Sequence, residues 1–235
     1  GAISGAVFIK GKDNFRYEVD AAYKGNRKDN IEPEVKDRID DLYEYCKEFG
    51  IQSDGGEADD YCGIAAELAL QDNKRYIVCH IDKDLDCIPG WHYNFRKDTL
   101  YYVEPEDGYR FLMMQILTGD ATDNIQGLRG VGPKTAEKLI NGVPNNLLWS
   151  KVIDIWKEKC GDNWEPFFLK CANCIYIRES DEDLKPLSFE ELKERLSWKT
   201  TDTGLPSQTD QTTPSDSSMQ SLDQLEDNTS EESNL

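Results

Sequence analysis

The sequence lacks long apolar runs. No stretch of its 235 residues approaches the ~20 consecutive apolar residues that a membrane-spanning helix needs. The first residues, Gly1 to Ser4, have no basic region ahead of an apolar one, which is unlike a secretion signal. We therefore expect a soluble protein of the cytoplasm that has no membrane partner.

Histidine is scarce, and cysteine is not arranged as a metal site. The chain has two histidines and seven cysteines. Cys171 and Cys174 form a CxxC pair, but such a pair without further ligands is weak evidence for zinc. The cysteines lie mostly in apolar runs, which favours buried, reduced thiols. His80 in a strand and His92 in a turn show no ligand spacing, so both are interpreted as structural.

Basic residues are outnumbered, with 27 Lys and Arg against 46 Asp and Glu and a net charge of −19. Residues 201–235 contain eight acidic residues, no basic ones and few apolar ones, so they are predicted to form a disordered acidic tail. Seven further acids fall in the clusters described below, where bound cations would offset their charge. The negative total therefore does not exclude a nucleic-acid partner.

Basic and aromatic residues are interleaved between positions 10 and 28, where Arg16, Lys24 and Arg27 lie. This mixture suits contact with a phosphate backbone and with bases. A solvated loop is the alternative interpretation.

Hydrophobic spacing predicts a chain in which strands and helices are mixed in the first half and helices dominate the second. The run at 75–81 is continuously apolar, as in a strand that is buried on both faces. The other predicted strands are at 3–9, 91–95 and 99–103, and helices are predicted from Pro33 to Gly50, from Glu57 onward, and at 109–118, 133–141, 146–160, 164–178 and 188–197.

Three groups of carboxylates fall at the ends of predicted elements. Each group alone is compatible with a cap or a turn, but seven acids brought to one place would repel one another without cations. Ligands that offer only oxygen select Mg²⁺ or Mn²⁺, and two such ions ~4 Å apart support phosphodiester hydrolysis without a protein nucleophile. The groups are Glu57, Asp59 and Asp60, then Asp82 and Asp84, then Asp120 and Asp123.

Glycines cluster after the third group of acids, in Gly127-Leu128-Arg129-Gly130-Val131-Gly132-Pro133-Lys134. This pattern predicts a helix-hairpin-helix, because glycines permit a tight turn and Pro133 suits the first position of a helix. The free N–H groups of that helix start, beside Lys134, would bind phosphate.

The motifs together resemble the 5′→3′ exonuclease and flap endonuclease family, above all its phage members and the nuclease domain of bacterial DNA polymerase I. The resemblance covers roughly residues 5–180 and implies an α/β, PIN-like fold with a mostly parallel sheet flanked by helices. It implies a nuclease core at 1–117 with a basic arch at about 10–30 and a helical region at 118–199 containing the helix-hairpin-helix. The tail at 200–235, predicted from its composition, lies outside the resemblance. The motifs that carry it are Tyr23-Lys24-Gly25-Asn26-Arg27, Glu57-Ala58-Asp59-Asp60, Asp82-Lys83-Asp84-Leu85, and Gly119-Asp120 with Asp123-Asn124 ahead of the glycine cluster.

The resemblance also implies a role for individual residues. Lys24 and Arg27 would be catalytic cations that contact the scissile phosphate, and the seven acids would bind two Mg²⁺ or Mn²⁺ ions. A K⁺ ion would bind at the hairpin. If the protein is encoded by a phage, it would act in the cytoplasm of a bacterial host cell. The residues implied to contact DNA are Arg16, Gly130, Gly132, Lys134 and Thr135.

Two features of the family are missing from the sequence. The family begins with a strand that ends in a metal-binding aspartate, and a second family aspartate is replaced by Ile9 and Lys10, with Asp13 nearby but out of register. We expect a fragment of a longer gene.

Three functions remain open at this stage. The first is a monomeric, metal-dependent nuclease acting on DNA with free or flapped 5′ ends, or on RNA primers in hybrids. The second is a DNA-binding relative with impaired catalysis. The third is a scaffold whose acidic tail recruits a basic partner or mimics nucleic acid.

Overall fold

The structure is a computed structural model that describes residues 4–27 and 32–199. The predicted acidic tail and the first three residues lie outside these ranges. Among the described residues, none of the helices is long and apolar enough to cross a bilayer. In chain order the elements are β1 (Phe8–Ile9), α1 (Arg16–Val19), α2 (Pro33–Cys46), β2 (Ile51–Gln52), α3 (Ala58–Gln71), β3 (Ile77–Cys79), β4 (Gly90–Asn94), β5 (Thr99–Val103), α4 (Pro105–Thr118), β6 (Gly119–Asp120), β7 (Ile125–Gln126), α5 (Pro133–Ile140), α6 (Asn145–Cys160), α7 (Trp164–Ile175) and α8 (Phe189–Leu196).

The strands form three small sheets. β1 pairs with β2 in parallel, β3 pairs with β4 in parallel, β5 lies antiparallel on the other side of β4, and β6 and β7 form an antiparallel pair. The parallel pair of β1 and β2 is connected through α2, as in a β-α-β unit, whereas β3 and β4 are connected by a segment that contains a short 3₁₀ helix. The α/β class is confirmed, and the predicted helical C-terminal region is present.

The strand that follows α3 is shorter and less buried than its composition predicts. Only Val78 of β3 is buried, whereas Ile77 and Cys79 are exposed. Val78 packs with Ala66 of α3 and Ile88 in a small apolar cluster. The prediction of burial on both faces is wrong, because within the described ranges only one face of this strand meets a packed layer.

Helix α2 forms where the sequence predicts it, but its apolar residues do not enter a core. Val35, Ile39 and Leu42 are about half exposed or more, and none of the residues of α2 is buried. The 3.6-residue period therefore predicted the helix and not its packing within the described residues.

The main core lies among the C-terminal helices. Met113 and Ile116 of α4, Leu148 and Trp156 of α6 and Phe168 of α7 are almost completely buried in one cluster. This core fixes α4, whose C-terminal end leads directly into Asp120. The helical half thus supports the candidate site described below.

Two adjacent leucines at the start of α6 test this core. Leu148 is completely buried, whereas Leu147 is 53% exposed. We expect Leu148→Ala to lower the free energy of unfolding by about 2–5 kcal/mol, because it leaves a cavity in the core. Leu147→Ala should cost less than about 1 kcal/mol. Urea unfolding followed by circular dichroism measures both, and equal losses would contradict the described packing.

Candidate active site

Five carboxylates line one small pocket. They come from the start of α3, from the turn that follows β3, and from the β6–β7 hairpin. The pocket encloses about 30 Å³, which is room for about two water-sized particles at ~10–15 Å³ each. The five acids are Glu57, Asp59, Asp84, Asp120 and Asp123.

The start of α3 explains why two of its three acids reach the pocket. Glu57 is the N-terminal cap residue, and acids near a helix start are favoured by the helix dipole. Asp59 and Asp60 are adjacent on the helix, so their side chains project about 100° apart. Asp59 therefore lines the pocket, and Asp60 is completely buried away from it.

The hairpin that carries Asp120 and Asp123 depends on a glycine. Gly119 has φ of +67°, and a Cβ atom there would lie 2.3 Å from both the backbone nitrogen of Gly127 and the carbonyl oxygen of Ile125. A larger residue is excluded by both the conformation and the close strand pairing. Asp120 Oδ1 then accepts a hydrogen bond of 2.7 Å from the N–H of Thr122, which orients its carboxylate.

Crowding changes the proton affinity of two of the acids. Burial, together with the nearby charges of Glu57 and Asp82, raises the pKa of Asp59 to about 7. Burial and the charge of Asp82 raise the pKa of Asp84 to about 6. Both folded pKa values exceed the unfolded ones, so the stability that these groups contribute falls as the pH rises from about 4 towards 7. The pocket therefore favours a positive charge at neutral pH.

Asp82 adjoins this pocket rather than lining it. Its Oδ1 accepts a hydrogen bond of 3.0 Å from the N–H of Asp84, at the start of a 3₁₀ helix, Lys83–Cys87. It also lines a neighbouring groove with His80, Asp86 and other residues. Asp82 is close enough to raise the pKa of Asp59 and of Asp84.

Two cations lie at the rim of the pocket. The ammonium group of Lys24 pairs with the carboxylate of Glu57 and lies 3.5 Å from that of Asp123. The guanidinium group of Arg27 pairs with Asp123 and is more than half exposed. The residues predicted to be catalytic cations are thus placed beside the predicted metal ligands.

The backbone around Lys24 is bound to the β6–β7 hairpin. The N–H of Lys24 donates to the carbonyl of Asp123 at 2.8 Å, and the side-chain amide of Asn26 donates to the carbonyl of Ala121 at 2.6 Å. In return, the side-chain amide of Asn124 donates to the carbonyl of Ala22 at 2.7 Å. These reciprocal bonds position the cations relative to the acids.

Arg16 and Asp60 form a buried ion pair, and Arg16 also lines the acid pocket. Arg16 donates to both oxygens of Asp60, at 2.6 and 2.8 Å, and to the carbonyls of Cys174 and Tyr176. Two backbone amides also donate to Asp60, at 2.8 and 3.0 Å. Burial alone would raise the pKa of Asp60, but the guanidinium of Arg16 lowers it below its usual range. We therefore do not retain the predicted DNA contact of Arg16 or the predicted metal ligation by Asp60.

The glycine-rich segment forms a tight turn followed by a helix. Gly130 has φ of +77° in this turn, and α5 begins at Pro133 after Gly132. Lys134 and Thr135 are exposed in the first turn of α5. The turn follows β7, so the nearest preceding helix among the described residues is α4.

Sequence reasoning missed several polar contacts of the pocket. Gln115 is buried on α4 and donates to Asp84 Oδ1 at 2.7 Å. Asn14 donates to Glu57 Oε1 at 2.9 Å. Gln115 carried a usable signal, because an amide within the apolar face of a helix needs a buried partner. Asn14 carried none.

The CxxC cysteines are buried thiols, as predicted. Cys171 and Cys174 are among the core residues, and all seven cysteines are free. Burial raises the pKa of both thiols, that of Cys174 to about 11. Since the thiolate is the form that binds a metal, this environment disfavours a zinc site there.

Proteins of similar sequence include a DNA polymerase and an exonuclease. No family model matches the chain. The DNA polymerase I of Bacillus caldotenax is 32% identical over 162 residues, which cover 61% of this chain and 18% of that protein. A 5′-3′ exonuclease of Buchnera aphidicola is 34% identical over 155 residues, which cover 59% of this chain and 52% of that protein. The chain is thus similar in sequence to part of a DNA polymerase I and to part of a 5′-3′ exonuclease.

The fold of the chain is similar to that of a solved 5′-exonuclease. A structure of T5 5′-exonuclease with divalent metal ions (zinc) bound matches with a TM-score of 0.58 and 19% identity over 80% of each chain. The chain spans about half the length of the curated exonuclease and about a fifth of that of the polymerase. The structural similarity thus covers the fold, and the sequence similarity covers part of each relative.

The Arg16–Asp60 pair gives a prediction about stability. We expect Arg16→Met to lower the free energy of unfolding by about 3–5 kcal/mol, because it leaves the charge of Asp60 buried without a partner. Lys74→Met is the control, since it breaks an exposed pair with Asp72 and should cost about 0–1 kcal/mol. Chemical unfolding at pH 7 measures both, and a similarly small loss in both variants would contradict this role.

Proposed function

We propose that the chain is a metal-dependent nuclease that hydrolyses phosphodiesters near the 5′ ends of DNA, as an exonuclease or a flap endonuclease. The observation that carries the proposal is the pocket in which five carboxylates converge beside Lys24 and Arg27. The relationship to 5′-3′ exonucleases supports the same class of reaction. RNA primers in hybrids are further substrates, and the acting form is a cytoplasmic monomer.

The donor set fits hard divalent cations. All five side chains of the pocket offer carboxylate oxygens, the ligands that Mg²⁺ and Mn²⁺ prefer. The raised pKa values of Asp59 and Asp84 support a site that favours positive charge. We assign these five acids, with Asp82 beside them, to two Mg²⁺ or Mn²⁺ ions. Such ions, when bound, supply activation of the attacking water and stabilisation of the leaving oxygen.

The cations at the rim have a separate role. Lys24 and Arg27 neutralise Glu57 and Asp123 in this structure. With cations bound to Glu57 and Asp123, the ammonium group of Lys24 and the guanidinium group of Arg27 would be available to a phosphate at the mouth of the pocket. Their role is then to bind and orient the scissile phosphate, with the guanidinium able to contact two of its oxygens.

The start of α5 provides a second contact with the nucleic acid. This helix start, where Gly130, Gly132, Lys134 and Thr135 are exposed, suits a phosphate of the duplex backbone. A K⁺ ion at the glycine turn would neutralise part of the same phosphate charge. Backbone contacts of this kind position DNA without reading its sequence.

A DNA-binding relative with impaired turnover is the second candidate. The observation that favours it is the position of Asp13, which is exposed and lines a different groove from the five acids. Asp13 therefore does not replace the family aspartate for which Ile9 and Lys10 stand.

Cleavage of a 5′-labelled flap DNA in the presence of Mg²⁺ or Mn²⁺ tests the proposed function. We expect Asp84→Asn and Asp120→Asn to lower the cleavage rate by at least ~100-fold, because each removes a metal ligand. DNA binding should survive or improve, since a negative charge is lost. Asp162→Asn, at an exposed position, should leave the rate unchanged. Full activity of the two pocket variants would refute the metal site, and binding without cleavage by the unmodified chain would favour the second candidate.

The contact of α5 predicts a salt-dependent change in affinity. Lys134→Ala should weaken binding to all duplex sequences alike and make the slope of log K against log salt concentration less negative by ~0.9, because one phosphate contact is lost. Lys138→Ala, an exposed lysine at the other end of α5, should leave the slope unchanged. Fluorescence anisotropy at several salt concentrations measures both slopes, and identical slopes would argue against this contact.

A further inference from the structure

A second cluster of possible metal ligands lies next to the acid pocket. One ligand atom each of His80, Asp86 and His92 lies within 4.8 Å of the others. Nε2 of His80 and Nδ1 of His92 are only 2.7 Å apart. Both rings are buried, and Asp86 is partly exposed. These histidines are therefore neighbours, which their separation in the sequence did not predict.

The parallel pairing of β3 and β4 brings the two rings together. Val78 lies opposite His92 in the register of these strands. The N–H of His80, just beyond β3, donates to the carbonyl of Tyr93 at 3.0 Å. The sheet thus fixes the positions of the two histidines, and Asp86 comes from the 3₁₀ helix, Lys83–Cys87, that connects the strands.

In each ring, the nitrogen that faces away from the other ring, here called the outer nitrogen, donates a hydrogen bond to a backbone carbonyl. Nδ1 of His80 faces the carbonyl oxygen of Asp82, and Nε2 of His92 faces the carbonyl oxygen of Ile88 at 2.8 Å. A carbonyl oxygen can only accept, so each of these nitrogens carries the proton. The inner nitrogen of a neutral imidazole is then an unprotonated acceptor. Two lone pairs would therefore face each other at 2.7 Å, which is repulsive unless a cation lies between them.

Tyr101 and Asp86, which surround the two rings, bring more hydrogen-bond acceptors than donors. The hydroxyl of Tyr101 donates to Asp86 and lies 3.3 Å from Nε2 of His80. Asp86 Oδ1 lies 3.8 Å from the same nitrogen. Four polar atoms thus face the centre of the cluster: Nε2 of His80, Nδ1 of His92, Oδ1 of Asp86 and the hydroxyl oxygen of Tyr101. If both rings are neutral, the hydroxyl proton of Tyr101 is the one proton among them. The cluster therefore lacks a positive charge at its centre.

We propose that His80, His92 and Asp86 bind a divalent transition-metal ion of the zinc class. Two imidazoles and one carboxylate suit zinc rather than magnesium, and water completes a four-coordinate site. Each ring donates its outer N–H to a backbone carbonyl, which is the usual arrangement around a metal-bound histidine. Zinc–nitrogen bonds of ~2.0–2.1 Å require the inner nitrogens to separate to roughly 3.3 Å, a small opening of the pair.

The site is accessible and has a defined position relative to the acid pocket. Asp86, Tyr101 and His80 line an open groove, through which an ion enters. His80 precedes Asp82, and Asp86 follows Asp84, so the ligands bracket the turn that carries both acids. The ion therefore fixes this turn to β4 and positions Asp82 and Asp84, while the acid pocket takes different ions.

Nitrogen NMR of the imidazoles tests the proposal, because His80 and His92 are the two histidines of the chain. The spectra are recorded on the Asp84→Asn/Asp120→Asn double variant, in which ion binding to the acid pocket is weakened. Without metal we expect the Nδ1–H form of His80 and the Nε2–H form of His92. One equivalent of Zn²⁺ should shift the resonances of both inner nitrogens and leave the outer N–H groups protonated.

Isothermal titration with Zn²⁺ provides the matched comparison in the same double variant. Adding Asp86→Asn should weaken the affinity by at least ~10-fold, whereas adding Asp154→Asn, at an exposed position of α6, should not change it. If Zn²⁺ leaves both inner nitrogens unshifted and one ring carries both N–H protons, a shared proton accounts for the pair and the proposal is overturned. Neither experiment measures cleavage, so its failure is distinguishable from failure of the proposed function.

Discussion

Electrostatic repulsion within the acid pocket is the constraint on which the rest of the site depends. Five carboxylates face a space of about 30 Å³, and burial together with the neighbouring negative charges raises the pKa values of Asp59 and Asp84. An isolated hairpin or helix end would move apart under this repulsion. The acids stay together because the elements that carry them are attached to packed parts of the fold. Asp120, for example, directly follows a helix of the main core.

The buried pair of Arg16 and Asp60 attaches α3 to the C-terminal half. Arg16 reaches Asp60 on one side and the carbonyls of Cys174 and Tyr176, at the end of α7, on the other. Sequence positions more than a hundred residues apart thus meet in one hydrogen-bonded group. The pair contributes no ligand to the pocket, but it sets the position from which Glu57 and Asp59 project.

Local periodicity was sufficient to predict the long helices and the β4–β5 pair, but not the short elements α1, β2, β6 and β7. Motif spacing indicated the acids of which five line the pocket. It could not separate Asp59 from Asp60, since that difference depends on a partner, Arg16, that lies 44 residues away. The meeting of His80 and His92 depends on the register of two parallel strands, which no local pattern specifies. The exposed apolar face of α2 illustrates the same limit, because an amphipathic period shows that a face is apolar and not what covers it.

The attachment of Lys24 and Arg27 to the acids has a thermodynamic consequence. The same carboxylates, Glu57 and Asp123, are neutralised by the chain's own cations and are the proposed partners of metal ions. Internal and external counter-ions then compete, so each must weaken the apparent affinity of the other by the same factor. A phosphate that draws the two side chains away would tighten metal binding, and metal ions would tighten phosphate binding in return. Substrate and ions would therefore bind cooperatively, because both interact with the same two ion pairs, Lys24 with Glu57 and Arg27 with Asp123.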